Sequence, residues 1–305
     1  MSDIISVLRE KAVAQNEKII FFPISRVSDL QRESIEFMNS NTLSEYHQTI
    51  MSRHYSFEYP QEMQSIIFIA VTSPAYAEVV FQYKQKEYRV YTAIFNLRHT
   101  TRAYIDEIHA AYGEHYEEVS RLPMKRMAAR SGLAVYGRNN ITYVEGFGSA
   151  VSYIAFYSSI PVSQGPWEEI KRGALCDNCK VCLTKCPTDA IIADRHLIDT
   201  DRCLGRMNTE GKFAEWVPDE AHHTIFYCLK CQVHCPMNRG SYNFYGTVSF
   251  DEAETERILK GMPFDDVDEA TKAKIDLLWL ERSPAVEGNI KRLFDLIDKG
   301  HKIVL

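Results

Sequence analysis

The sequence predicts a mixed α/β N-terminal domain, then a small domain built around cysteine, then a short helical tail. Three observations carry this. Short apolar runs alternate with amphipathic stretches up to about residue 165; all eight cysteines lie between positions 176 and 235; and helical apolar spacing without further cysteine follows. The expected boundaries are 1–165, 166–245 and 246–305, the first marked by Pro-Val-Ser-Gln-Gly-Pro over 161–166.

Residues 2–15 place Ile4, Ile5, Val7, Leu8, Ala12 and Val13 at helical spacing behind Ser2 or Asp3 as cap. Lys-Ile-Ile-Phe-Phe-Pro over 18–23 reads as a buried strand ended by proline, and 27–39 as a helix. Residues 64–72 form the most apolar strand candidate, followed by the turn Ser73-Pro74. The runs 78–84 and 87–95 read as a hairpin. A helix is expected from about Arg98 to Tyr116, with Ala103, Tyr104, Ile108, Ala111 and Tyr112 on one face, and a shorter one over 124–131, stopped at Gly132. Residues 133–136 and the turn Gly137-Arg138-Asn139-Asn140 follow, and then strands near 141–144 and 150–157. Beyond the cysteines, 251–260 and 266–280 read as helices, with 293–297 part of a third.

Cys176, Cys179, Cys182 and Cys186-Pro187 have the C-x2-C-x2-C-x3-C-P spacing of a bacterial ferredoxin. In that pattern three close thiolates hold one [4Fe–4S] cluster and the fourth reaches a second. The later run Cys228, Cys231, Cys235-Pro236 repeats the last intervals but has Ile225 where a first cysteine belongs, and Cys203 is the only spare thiol. The expected ligands are Cys176, Cys179, Cys182 and Cys235 for one cluster, and Cys186, Cys203, Cys228 and Cys231 for the other. Two four-thiolate zinc sites, which usually come as separated C-x2-C knuckles, and disulfides remain as alternatives. Eight thiolates fill eight iron positions, so the clusters are expected to carry electrons and not to bind substrate. Trp216 and residues 207–223 are expected to cover the second cluster, with His222, His223 and His234 beside it.

The net charge of −6 offers no basic footprint for nucleic acid, and from residue 246 onward 9 Lys and Arg face 13 Asp and Glu, a difference of −4. No apolar stretch reaches the length needed to span a bilayer, and the first residues do not read as a secretory signal. The expectation is a cytoplasmic oxidoreductase without a membrane partner, receiving electrons from a ferredoxin, a flavodoxin or a similar donor.

The chain also resembles the epoxyqueuosine reductase family and, more distantly, the corrinoid-dependent reductive dehalogenases. The resemblance rests on the first cysteine run, the lone Cys203 and the ending Cys231-Gln232-x-x-Cys235-Pro236-x-Asn238. Residues 131–140 are similar to the family's Ala-Gly-Leu-Gly-Trp-Ile-Gly-Lys-Asn-Thr, and 146–149 to its Tyr-Gly-Ser turn. This implies a cobalamin between the N-terminal and cluster domains, lined by Gly137, Arg138, Asn139, Asn140, Phe147 and Gly148. The bland reading of residues 137–140 is a hairpin turn, which needs the same residue types.

Two departures bear on the substrate. The family carries an aspartate shortly before its Ala-Gly-Leu motif, as proton donor, whereas Val119-Ser120-Arg121-Leu122-Pro123 has none. Its helical tRNA-gripping tail is replaced by a short acidic one. A small molecule is therefore the expected substrate and nucleic acid is not an expected partner; an electron-transfer protein without corrinoid, and a reductase of epoxyqueuosine in tRNA, are the alternatives. His99 is the candidate proton donor, with Tyr91 and Tyr104 behind it.

Overall fold

The structure, a computed structural model, describes residues 3–40, 43–94, 99–193, 197–281 and 284–305, with the side chains of His54 and His99 left out. The expected cap Ser2, the strand end Phe95 and the helix start Arg98 lie outside the described residues.

The elements run α1 (Ile4–Ala14), β1 (Glu17–Pro23), α2 (Arg26–Ser40), α3 (Glu45–His54), β2 (Ser65–Thr72), β3 (Tyr76–Tyr83) and β4 (Lys86–Ala93). Next come α4 (His99–Tyr112), β5 (Tyr116–Val119), α5 (Met124–Arg130), β6 (Ala134–Tyr136), β7 (Thr142–Val144) and β8 (Val151–Ser158). The rest is α6 (Val181–Lys185), α7 (Leu204–Glu210), α8 (Lys230–Val233), β9 (Phe244–Phe250), α9 (Glu252–Leu259), α10 (Glu269–Leu278) and α11 (Ala285–Asp298). The chain is thus mixed α/β, with a helical C-terminal region.

Two compact units form, and they cut across the three linear segments expected from the sequence. The first comprises residues 1–72, 97–137 and 141–174; the second comprises 73–96, 138–140 and 175–305.

In the first unit four antiparallel strands take the order β1-β2-β8-β5. Successive side chains of a strand face opposite ways, so β2 contributes Ile66 and Phe68 to one face, and Ile67, Ile69 and Val71 to the other. Val27 and Leu30 of α2, with Met127 and Ala128 of α5, cover the first face. Leu8 of α1 and Tyr104, Ile105 and Ile108 of α4 cover the second. Burial on both faces is why β2 reads as an unbroken apolar run.

In the second unit the order is β4-β3-β9, with β3 antiparallel to β4 and parallel to β9. The two-residue turn between β3 and β4 has Lys84 and Gln85 both at positive φ, 49° and 60°, the twist that suits a tight hairpin. Ala77, Val79 and Phe81 of β3 need an apolar cover, which Ile258, Leu259, Ile275, Ile290, Leu293 and Phe294 provide. Phe294 stacks on Tyr88 at 3.9 Å between ring centroids and meets Phe81 edge-on at 5.6 Å. This moves the hairpin out of the N-terminal domain in which linear order placed it.

Two predictions follow from this packing. Phe294→Ala removes the ring between two strands and should cost about 3–5 kcal/mol, read as a lower chemical-denaturation midpoint for the second unit. Buried His109 in the first unit bridges Ile105 O (Nδ1, 2.8 Å) and Ser158 Oγ (Nε2, 3.0 Å). Burial lowers its pKa below the ordinary 6.5, outweighing the opposing effects of the Ile105 carbonyl, Glu114 and Asp106. The unfolded chain therefore binds the proton more readily, so this contribution to stability is present above pH 6.5 and is lost as pH falls below it. His109→Gln should show a smaller fall in melting temperature than wild type between about pH 7.5 and 5.5; equal falls would remove His109 as the cause.

Candidate functional site: the thiol groups

None of the eight cysteines is in a disulfide; one is buried and seven are partly buried. Cys176 lies in the single 3-10 turn Ala174–Asp177 and Cys179 just after it, Cys182 lies in α6, and Cys186 leaves that helix in extended backbone before Pro187. Cys203 caps α7. Cys228 follows Tyr227, whose φ of 61° turns the chain sharply; Cys231 lies in α8, and Cys235 precedes the turn at Pro236.

The thiols fall into two sets of neighbours. Burial pushes Cys182 up to about 11, and the thiols that add to the effect are Cys176, Cys235 and Cys179. Burial pushes Cys228 up to about 12, with Cys203 and Cys186 as its thiol neighbours. Cys231 is raised well above the ordinary thiol value by burial and then by Cys228, Cys203 and Cys186. Cys203 is raised chiefly by burial, with Cys186 adding to it. One set is therefore Cys176, Cys179, Cys182 and Cys235; the other is Cys186, Cys203, Cys228 and Cys231.

The donor chemistry suits iron–sulfur clusters. Eight sulfurs converge in two fours, and backbone amides point at them: Ala190 N–H donates to Cys186 Sγ at 3.3 Å, Gly205 and Arg206 to Cys203, and Lys230 to Cys228. Amide donors at sulfur stabilise the thiolate and tune a cluster's potential. Among the described residues no three His, Cys, Asp or Glu side chains are arranged to hold a single metal ion. Thiols with raised pKa release protons when iron binds them.

The C-terminal region holds the second set in place. Asn289 of α11 donates its amide to the carbonyls of Asn208 (2.7 Å) and Ile225 (2.8 Å), while Asn208 donates to Thr224 Oγ1 and to Tyr227 O. Gly211 ends α7 at a φ of 66°, and a Cβ there would stand 2.8 Å from Ala285 Cβ, so only glycine lets α7 end against α11. Tyr242 is a neighbour of Cys231 and Cys228 and stacks on Tyr76 at 5.9 Å. The sequence held no signal for it, since both contacts are long-range.

His222 and His223 are buried, and burial lowers both to about 4. His223 Nδ1 lies 2.6 Å from Ala221 O, and Nε2 accepts from Leu229 N–H at 3.4 Å, which makes it a neutral strut under the second set. His234 is partly buried, with its pKa lowered by burial and by Lys185 and Lys230. Of the segment expected to cover this set, Met207 is buried but Trp216 is 46% exposed, with the Arg202 guanidinium 4.4 Å from its ring. Trp216 is a surface ring and not a lid.

The residues expected around a corrinoid are divided. Gly137, Phe147 and Gly148 belong to the first unit and residues 138–140 to the second. Gly137 and Gly148 already donate their N–H groups to Ile141 O and Val144 O, both at 2.8 Å, and Phe147 is a core ring. Arg138 donates to the carbonyls of Ala193 and Cys176. Asn139, 4% exposed, donates to Cys231 O at 3.2 Å, and Asn140 turns the chain at a φ of 59°. Arg138 and Asn139 thus serve the thiol sets, because their donors find acceptors there. Of the candidate acids, His99 opens α4, but its side chain lies outside the described residues. Tyr104 is buried with its hydroxyl donating to Glu17 Oε2 at 2.7 Å, and Tyr91 lies in β4 of the other unit.

Residues 175–238 match the 4Fe-4S double cluster binding domain family. An epoxyqueuosine reductase of Cyclobacterium marinum is 28% identical over 140 residues, 45% of this chain and 43% of that protein. The resemblance is to the epoxyqueuosine reductases. A solved structure of a selenomethionine-labelled epoxyqueuosine reductase covers 98% of this chain and 84% of its own at 18% identity and a TM-score of 0.60, so the fold is shared. The alignment to the Cyclobacterium marinum epoxyqueuosine reductase spans less than half of that protein's length. The matched segment is a double cluster domain, so two [4Fe–4S] clusters are the cofactors of this chain. One expectation is corrected in part. Another epoxyqueuosine reductase, similar at a TM-score of 0.55 and 18% identity over 95% of this chain and 82% of its own, was solved with an epoxyqueuosine-modified tRNA-Tyr stem loop. The net charge alone therefore did not justify setting nucleic acid aside. Among the described residues no helix is long and apolar enough to cross a membrane.

Cys203→Ala should reduce iron from about eight atoms per chain toward about four to seven, measured with acid-labile sulfide after anaerobic reconstitution; unchanged iron would show that Cys203 is not a ligand.

Proposed function

We propose that this chain is a cobalamin-dependent reductase of epoxyqueuosine in tRNA. Cys176, Cys179, Cys182 and Cys235 would hold one cluster, and Cys186, Cys203, Cys228 and Cys231 the other. The single observation behind the ligand sets is the grouping of eight buried or partly buried thiols into two fours, each drawn from distant parts of the chain. When bound, the clusters supply one-electron transfer and cobalamin supplies a reducible cobalt. The chain's own residues bury the sulfurs, direct amide N–H groups at them and hold the second set against α11 through Asn289. Cobalamin and tRNA are proposed on the resemblance to the epoxyqueuosine reductases; no contact to either is assigned to Gly137, Asn139, Phe147 or Gly148, whose donors or rings are engaged within the protein, nor to Arg138, whose two terminal nitrogens are held by the Ala193 and Cys176 carbonyls. A ferredoxin, a flavodoxin or a similar protein is the proposed electron donor.

A second reading, reduction of a small molecule, is favoured by two specific features. Residues 119–123 contain no aspartate, and residues 246–305 carry a net −4 from 9 basic and 13 acidic side chains.

The test uses cluster-loaded protein under anaerobic conditions. Cobalamin should bind with a Kd of about 10 µM or tighter, and epoxyqueuosine-bearing tRNA should be converted to queuosine-bearing tRNA in nucleoside digests, only when cobalamin and a low-potential reductant are both present. Cobalamin binding without tRNA turnover overturns the tRNA reading in favour of the small molecule. No cobalamin binding leaves an electron-transfer protein.

A further inference from the structure

Residues 138 and 139 are neighbours in sequence, yet each is tied to a different thiol set. The Arg138 guanidinium is fixed by two backbone carbonyls, those of Cys176 and Ala193. Its third donor, Nε–H, is buried and has no acceptor within the protein. A guanidinium keeps its charge and its fork of five N–H donors at all physiological pH values, so a buried unfilled direction calls for an acceptor. The hydrogen bond to the Cys176 carbonyl fixes the group at the backbone of one member of the first set. Asn139, almost fully buried, donates to Cys231 O and also hydrogen-bonds the Cys231 thiol. The turn Gly137-Arg138-Asn139-Asn140 therefore presents a fixed positive charge to one set and an amide dipole to the other.

Reduction of a [4Fe–4S] cluster adds one negative charge and leaves its bonds in place. A cation beside the cluster stabilises the reduced form more than the oxidised form, and so does a hydrogen bond to a ligand sulfur. We propose that Arg138 and Asn139 are potential-setting residues, one for each cluster: Arg138 raises the reduction potential of the cluster held by Cys176, Cys179, Cys182 and Cys235, and Asn139 raises that of the cluster held by Cys186, Cys203, Cys228 and Cys231. The unpartnered Nε–H of Arg138 would be the donor available to that first cluster. Neither residue touches substrate in this assignment; both act through the clusters. It rests on the two-cluster reading above.

The readout is a potential-poised titration of the reconstituted full chain, followed by EPR and fitted to two midpoints. Arg138→Gln should lower one midpoint so that the reduced-to-oxidised ratio at fixed ambient potential falls about tenfold, or 59 mV for a one-electron couple, while the other stays in place. Asn139→Ala should lower the other midpoint by a smaller amount, about threefold in the same ratio. Arg138→Lys keeps the charge and loses the fork, and it should recover most of the first shift. Two midpoints that move together, or do not move, in variants with full iron content overturn this inference alone. Wild-type protein that takes up no iron and sulfide overturns the two-cluster reading instead.

Discussion

Taking eight sulfurs out of water is the constraint on which the second unit is built. A buried thiol resists ionisation, as the raised values at Cys182, Cys228 and Cys231 show, and it ionises readily only when a metal centre takes up the charge. The protein meets that requirement with backbone. Short helices and tight turns direct N–H groups at sulfur, and proline after Cys186 and Cys235 turns the chain away. Each set takes members from both cysteine runs, so neither run is complete without the other.

The scaffold around the second set follows from the same need. Cys203 and Cys228 lie on either side of a long loop, and their spacing depends on how α7 and residues 224–227 are held. Asn208 does that by donating to Thr224 Oγ1 and Tyr227 O, and Asn289 by donating to the carbonyls of Asn208 and Ile225. Helices far along the chain thereby become part of the cluster scaffold. The first unit has a different logic: a sheet covered on both faces by helices, with polar side chains such as Glu17 and His109 buried only where partners meet them.

What the sequence made legible was whatever depends on local pattern. The β2 run was visible because every residue from Ser65 to Val71 is buried, and the hairpin because two β-rich runs stand two residues apart. The cysteine spacing pointed to metal chemistry by itself. Hidden were features that depend on distant partners. Helix α3 buries little beyond Met51 and so lacked an apolar stripe, and β9 exposes Phe244 and Tyr245, which blurs strand alternation. Arg138 and Asn139 read as turn residues because nothing near them in sequence announces the thiols they meet. For the same reason, the hairpin's membership of the second unit could not be read from its own residues.

The parallel pairing of β3 with β9 joins Val79 to Val248, and the cover over β3 comes from helices ending at Asp298. During synthesis, the hairpin leaves the ribosome long before its neighbour strand and its helical roof exist. Ala77, Val79 and Phe81 must then wait uncovered while most of the remaining chain is translated, and all eight cysteines emerge in that interval. Topology thus ties the closure of this core to the end of translation: the second unit cannot close until its last helix has been made.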